Sequence, residues 1–232
     1  MTTRTDAATA TMAALIGSLA DNKGALGRRY GEWAVSAPTI ESAVAAAAMA
    51  QDELGHARST YPVLDKLGHP RDEDGLAGGR PMSVLESELP DWASLIAANL
   101  VVDGILTTFV AAGRDSSIEP LAQRARKILQ EEGAHKVHAE AWTRRICRTG
   151  GPDLDLLLRR VEEMWAAAAR WPGPADHPGW REAMERRMVD RDPDAIRAAV
   201  RDWLTELLRA EGAAADLRED RDWSGWDEET RR

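Results

Sequence analysis

The sequence has only one cysteine, one phenylalanine and two tyrosines among 232 residues. A single thiol, Cys147, excludes an internal disulfide and a thiolate metal cluster, a usage that fits a reducing compartment. Basic residues are also in the minority, since 30 Lys and Arg stand against 39 Asp and Glu for a net charge of −9. Without a basic cluster the chain lacks the surface that nucleic-acid-binding proteins use. We therefore expect no nucleic-acid partner.

Long uninterrupted apolar runs are scarce. Residues 1–14 carry Arg4 and Asp6 and no continuous apolar core, so the sequence predicts a cytoplasmic protein. The one stretch that resembles a membrane span, residues 95–113, has Asn99 and Asp103 near its middle. These polar residues favour a helix buried inside a bundle, and we expect no membrane partner.

Segments with the period-two pattern of β-strands are absent, and alanine-rich segments with helical periodicity dominate. The sequence predicts six or seven helices, four of them about 25 residues and therefore about 38 Å long. Capping residues and Pro or Gly breaks place the long helices at 6–34, 39–67, 91–113 and 116–148. Residues 70–90 are expected to form a polar loop. The predicted fold class is all-α, a ferritin-like four-helix bundle with a helical C-terminal extension.

Three regions are expected along the chain. Residues 1–150 form the bundle, residues 151–212 a helical extension packed on it, and residues 213–232 a charged tail. The tail is expected to be frayed, apart from Trp223 and Trp226, which anchor it locally or contact a partner.

Two of the five histidines follow a glutamate by three residues, in the pairs Glu53/His56 and Glu132/His135. On a helix this spacing brings both side chains of a pair to one face. Each pair falls in the middle of a predicted long helix, the second and the fourth. An acidic residue occurs in the helix before each pair, Glu32 before the first and Asp103 before the second.

Two Glu-x-x-His pairs and one acid from each remaining helix form the ligand pattern of ferritin-like di-iron and di-manganese proteins. Four carboxylates neutralise two divalent cations, and two imidazoles complete the ligand shell while leaving positions open for O₂. The predicted metal ligands, which are also the predicted catalytic residues, are Glu32, Glu53, His56, Asp103, Glu132 and His135.

Asp103 lies in the most apolar of the helices, where an unpaired buried carboxylate would cost several kcal/mol. A metal would remove this cost. An alternative is a hydrogen bond from Asn99 or Thr107, or a salt bridge to an arginine.

For two of the other predicted acidic ligands, Glu32 and Glu132, the sequence offers alternatives. Glu32 lies beside Arg29, and a solvated ion pair is the ordinary interpretation of such a residue. Glu41 is a rival for its role, but it lies about 18 Å along the second helix from the Glu-x-x-His pair. Glu131 is a rival of Glu132, which the parallel with the first pair favours.

The sequence pieces around these residues occur in an order that is typical of one family. They are Asp21-Asn22, Leu26-Gly27-Arg28, Glu32-Trp33, Ala37-Pro38-Thr39, the string QDELGHA at 51–57, Val102-Asp103-Gly104 and the string EEGAH at 131–135. Together they make the chain resemble the PaaA/PaaC-like family of phenylacetyl-CoA monooxygenases, ferritin-like subunits of a bacterial multicomponent oxygenase.

In that family a catalytic subunit holds a di-iron centre, and a related scaffold subunit has degraded metal ligands. The resemblance implies that the six predicted ligands match the catalytic set and hold two iron ions, with manganese as the alternative metal. The short connection from Glu32 to Ala37, and the Glu-Trp step within it, look more like the scaffold subunit.

The leading hypothesis is a non-haem di-iron monooxygenase that activates O₂ to hydroxylate or epoxidise a small organic substrate, with an aromatic or CoA-thioester compound as candidate. It implies a separate electron-donating reductase, and a homodimer or a hetero-oligomer with a related subunit. One alternative is a metal-poor scaffold subunit of a multicomponent oxygenase. Another is a ferritin-like protein that handles iron or peroxide.

Overall fold

The computed structural model describes residues 6–71 and 80–231, and within these ranges it contains seven helices and no strands. The third helix is continuous from Trp92 to Ala112 but contains a π-helical turn, Ala98–Asp103. The helices are α1 (Ala7–Trp33), α2 (Ile40–Lys66), α3 (Trp92–Ala112), α4 (Glu119–Thr149), α5 (Gly151–Ala168), α6 (Pro178–Glu185) and α7 (Pro193–Ala210). The all-α ferritin-like fold predicted from the sequence is confirmed.

The helix boundaries follow from side-chain caps. The carboxylate of Asp6 accepts a hydrogen bond from the Thr9 amide at the start of α1. Thr39 caps α2, and Asp91 caps α3 by accepting from the amide of Ser94 at 2.7 Å. Such caps satisfy amides that have no partner within the helix. The predicted starts of α1, α2 and α3 therefore agree with the structure to within about one residue, whereas α4 has no side-chain cap and begins at Glu119, later than predicted.

Helix α3 is the core of the bundle. It is long and apolar enough to cross a membrane, yet 78% of its most apolar window is buried inside the protein. The interpretation of this segment as the buried helix of a bundle is confirmed. Its π turn ends at Asp103 and inserts one extra residue into the helix, a feature often found at functional sites. Nothing in the sequence pattern indicates this turn.

Helices α1 and α2 pack closely along their length. Gly27 permits this approach, because a Cβ atom there would lie 2.8 Å from Cγ of Leu54 and 3.0 Å from the carbonyl oxygen of Ala50. Contacts this short are repulsive, so only glycine fits at the crossing.

Two residues of the predicted polar loop, Arg71 and Arg80, are hydrogen-bonded to the buried carboxylate of Asp21. Asp21 accepts hydrogen bonds from the Tyr61 hydroxyl at 2.7 Å, from Nη1 of Arg71 at 3.0 Å and from the amide of Arg80 at 3.2 Å. Residues 72–79 of that loop lie outside the described ranges. Its later part contains a short 3₁₀ turn, Ser83–Leu85.

The C-terminal part lies against the bundle. Helices α5 and α7 pack on α3, and α6 packs on α1. The final segment does not fray as expected, because the guanidinium of Arg231 is buried and donates to the carbonyl oxygens of Trp171 and Pro172. Trp226 also donates from Nε1 to the carbonyl oxygen of Arg170. The C-terminal tail is thus bound to residues 170–172 through Trp226 and Arg231.

Candidate functional site

The structure brings five of the six predicted ligands together at the centre of the bundle. Glu53 and His56 come from α2, Asp103 from the π turn of α3, and Glu132 and His135 from α4. All five residues are at most 5% exposed. Four of them, all except His56, present ligand atoms within 4.8 Å of one another. By ligand type and spacing this set is suited to hold a metal ion.

A sixth residue, which is not one of the predicted ligands, occupies the middle of this group. Lys23, on α1, is fully buried. Its Nζ atom lies 2.5 Å from Oε1 of Glu132, 2.6 Å from Oδ1 of Asp103 and 3.0 Å from Oε1 of Glu53. The three donors of one ammonium group are therefore directed at three carboxylates from three different helices. We call these six residues, Lys23, Glu53, His56, Asp103, Glu132 and His135, the central cluster.

The carboxylates keep Lys23 charged despite its burial. Burial alone lowers a lysine pKa, but attraction by Asp103, Glu132 and Glu53 outweighs it and raises the pKa of Lys23 well above its ordinary value. The pKa of Asp103 moves the opposite way. Burial would raise it, yet the charge of Lys23 and the hydrogen bond with His135 lower it below its usual range. The hydrogen bond from Thr107 to Asp103, which is the alternative to a metal ligand role, is also present at 3.3 Å.

Two acids outside the central cluster contact the histidines, and each acid lies on the helix that carries the other Glu-x-x-His pair. Nε2 of His56 lies 2.8 Å from Oε2 of Glu131, and Nε2 of His135 lies 3.3 Å from Oδ2 of Asp52. Each acid immediately precedes the glutamate of the other Glu-x-x-His pair. Glu131 is thus not a member of the cluster but orients a histidine from outside, as acids do around metal-bound histidines.

The inner nitrogens of both rings face the cluster carboxylates. Nδ1 of His56 lies 3.3 Å from Oε1 of Glu132, and Nδ1 of His135 lies 3.4 Å from Oδ2 of Asp103. Burial lowers the pKa of both rings, but their carboxylate hydrogen bonds raise it to about 9 for His56 and about 11 for His135. The pKa of Glu132 is raised as well, because burial and the nearby charge of Asp103 outweigh the attraction of Lys23.

Glu32 does not join the cluster, which corrects its predicted role. It lies nine residues after Lys23 on the same helix, about 13.5 Å along the axis and about half a turn round to the other face. Its side chain is 37% exposed and pairs with Arg29 at 3.2 Å. The solvated ion pair considered as the alternative is what the structure shows. The other rival, Glu41, lies exposed in the first turn of α2.

A signal for Lys23 is present in the sequence. Ile16, Leu19, Leu26 and Tyr30 are spaced as one buried stripe of a helix, and Lys23 occupies the position between Leu19 and Leu26. A lysine in such a stripe is almost never buried unless it is paired. The stripe therefore requires acidic partners from the neighbouring helices.

Two small cavities flank the cluster. One, of about 120 Å³, is lined by Asp103 and Glu132 on one side and by Trp203 on the other. The second, of about 160 Å³, lies beside His56 and Glu131. Pockets that enclose an organic ligand commonly measure about 300–1,000 Å³. Neither cavity has the volume that an aromatic thioester needs.

These side chains could bind metal, but the ligand pattern for a pair of divalent cations is only partly present among them. The ligand pattern needs a carboxylate from α1, and α1 supplies the ammonium group of Lys23 instead. A metal ion bound to the same oxygens would meet a like charge at hydrogen-bond distance, where repulsion is strong in a buried site. Lys23 donates to one oxygen of each of the three carboxylates, whereas Oε2 of Glu53 is buried and makes no hydrogen bond within the described residues.

Comparison with known proteins shows the family of this chain. The family model described as Phenylacetic acid catabolic protein matches residues 1–231. The chain belongs to this family. It is 25% identical over 196 residues to the subunit designated C of 1,2-phenylacetyl-CoA epoxidase from Escherichia coli K12, and the match covers 82% of this chain and 77% of that relative.

The subunit designated A of the same epoxidase is also similar, with 25% identity over 150 residues, or 63% of this chain and 48% of that relative. The chain therefore spans about half the length of this second relative. Both relatives in this family of phenylacetic acid catabolic proteins are parts of one oxygenase, so the family places the chain among the oxidoreductases. The predicted resemblance is confirmed.

Proposed function

We propose that this chain is the structural subunit of a multicomponent oxygenase, and that a related subunit holds the metal centre. The observation that carries the proposal is the contact of Lys23 with Glu53, Asp103 and Glu132 at 2.5–3.0 Å. The ammonium group supplies from within the chain the positive charge that metal ions supply in a catalytic centre. The central cluster then acts as an internal tie between α1, α2, α3 and α4.

Two further observations support this role. The cavities next to the cluster measure about 120 and 160 Å³, too little for the substrate named for the relatives. The relatives are also two different subunits of one enzyme. We therefore expect this chain to associate with a related subunit. O₂, the organic substrate and the electron-donating reductase interact with that catalytic partner.

A second candidate is the di-iron monooxygenase itself. It is favoured by the convergence of five predicted ligands and by the ligand spacing of Glu53, Asp103, Glu132 and His135. This function requires Lys23 to leave the carboxylates when iron, or manganese, is bound. A ferritin-like role in handling iron or peroxide also requires Lys23 to leave the carboxylates. One experiment on metal binding therefore tests both metal-dependent functions.

Metal uptake in solution distinguishes the candidates. The purified chain is loaded anaerobically with Fe(II) or Mn(II), desalted and analysed for metal content. We expect only trace metal in the wild-type chain. We expect Lys23→Glu, which supplies the missing carboxylate, to retain up to about two ions per chain. Lys23→Gln is the matched control, because it removes the ammonium group without adding a ligand.

Tight binding of two ions per wild-type chain would refute the structural role. The partner is tested by co-expression with a relative of the type designated A from the same genome. We expect a stable complex whose metal content is that of the relative alone.

A further inference from the structure

A groove separate from the central cluster lies between the starts of α2 and α3 and the C-terminal half of α4. It consists of two cavities of about 430 and 360 Å³ that share Trp142 and Arg145. None of the six cluster residues lines either cavity. The size of each is that of a pocket for a small organic ligand.

Aromatic rings form one wall of the groove. The ring centroids of Trp92 and Trp142 lie 5.2 Å apart at an angle of 70°, and Trp33 packs behind Trp92 at 5.5 Å. Nε1 of Trp142 donates to Oγ of Ser42 at 3.0 Å, which fixes its ring. Such a wall presents ring edges and faces to a planar ligand.

An arginine, Arg145, lies over this wall. Its guanidinium carbon is 4.7 Å from the Trp142 ring centroid. Its neighbours on α4, Arg144 and Arg148, both pair with Glu211. Arg145 makes no ion pair within residues 6–71 and 80–231. Stacking leaves its N–H groups free to bind a carboxylate in the bidentate manner that arginine favours.

Buried polar atoms near the groove also lack partners. Nε1 of Trp92 and both ring nitrogens of His138 are shielded from solvent and make no hydrogen bond within the described part of the chain. His138 lies edge-on to Trp92 at 6.0 Å. Unsatisfied polar atoms are uncommon in native proteins and often mark a missing ligand or water. Three acids also line the two cavities, Glu41, Asp91 and Asp153, and Asp91 pairs with Arg160 at 2.8 Å.

We propose that this groove binds a small aromatic carboxylate, with its ring against Trp92 and Trp142 and its carboxylate on Arg145. The guanidinium of Arg145 favours an anionic group at its own position in the groove, and an aliphatic acid would leave the ring wall unused. The site does not depend on the metal content of the central cluster, so it stands apart from the proposed function.

Calorimetric titration of the full chain with phenylacetate tests the assignment. Phenylacetamide has the same ring without the charge, and cyclohexylacetate has the charge without the aromatic ring. We expect saturable binding of phenylacetate, and binding of each control compound that is weaker by about tenfold or more. Equal affinity for the amide would overturn the carboxylate contact, and no saturable binding would overturn the site, leaving the groove as a surface for another protein chain.

Two variants locate the binding. Arg145→Gln is expected to weaken phenylacetate binding by about tenfold or more. Arg148→Gln, on the same helix but paired with Glu211, is the control and is expected to bind as the wild type does. Both side chains are exposed, so neither change disturbs the core. An equal loss in the two variants would overturn the proposal.

Discussion

Nζ of Lys23 lies 2.6 Å from Oδ1 of Asp103, although the two residues are 80 positions apart in the sequence. This contact joins the first helix to the π turn of the third. It places an ammonium group of the chain among the side chains that the sequence predicts as metal ligands. The most direct consequences concern stability.

Lys23→Met is expected to destabilise the fold strongly. The change leaves the carboxylates of Glu53, Asp103 and Glu132 buried without their shared donor, and breaking a buried ion pair commonly costs about 3–5 kcal/mol. Urea unfolding measures the loss. Lys127→Met is the control, because Lys127 is 65% exposed and lies 3.8 Å from Glu131. We expect the control to change the free energy of unfolding by less than about 1 kcal/mol, and similar losses would contradict the role of Lys23.

Glu32→Gln is expected to have almost no effect. The residue forms a partly exposed pair with Arg29, and such pairs contribute about 0–1 kcal/mol. In the Lys23→Glu background, Glu32→Gln should leave metal retention unchanged, whereas Glu132→Gln should reduce it. Metal analysis after desalting checks both results. A loss of metal with Glu32→Gln would restore the ligand role predicted for Glu32.

Two glycines should respond to alanine in opposite directions. Gly27→Ala forces a Cβ atom to 2.8 Å from Leu54 and should destabilise the pairing of α1 with α2 by about 1–3 kcal/mol. Gly55→Ala, in the adjacent helix, meets nothing within 4 Å and should stabilise α2 by up to about 1 kcal/mol. Thermal unfolding of the two variants measures both changes. Equal effects would show that the helices do not approach closely at Gly27.

The cap of α3 should make stability depend on pH. Burial would raise the pKa of Asp91, but hydrogen bonds from Arg160 and Ser94 outweigh it and lower the pKa below its ordinary value. A lowered pKa stabilises the folded state above the unfolded value of about 3.9, and this contribution is lost as the pH falls through the folded value. The difference in unfolding free energy between wild type and Asp91→Asn should therefore be largest near neutral pH and shrink in acid.

Asp155→Asn provides the control for that comparison. Asp155 is exposed on α5. Its replacement should change stability little at either pH. A difference for Asp91→Asn that is the same at neutral and at acid pH would contradict the capping ion pair.

Much of the fold can be predicted from the sequence because it depends on local signals. The caps at Thr39 and Asp91 mark helix starts, and the apolar period of residues 95–113 indicates the core helix. The Glu-x-x-His spacing predicts the convergence of α2 and α4, since residues three apart share a helix face. Each of these predictions requires only the geometry of a single helix.

The predictions fail where a residue depends on several helices at once. Glu32 has the charge of a metal ligand, but half a turn of helix separates it from the face of Lys23. The π turn at Ala98–Asp103 and the burial of Arg231 against Trp171 result from tertiary packing that no local pattern records. The role of Lys23 is not predicted, because a lone lysine is usually exposed. Its position in an apolar stripe of α1 is nevertheless visible in the sequence.

The central claim is that Lys23 takes the place of metal in the cluster. Anomalous scattering at the iron and manganese absorption edges, on crystals of the wild-type chain soaked anaerobically with each metal, tests it most directly. We expect no anomalous peak among Glu53, Asp103 and Glu132, with the Lys23 ammonium group in contact with all three. Two strong peaks there, with the lysine side chain turned away, would contradict the claim and show that the cluster is a metal site.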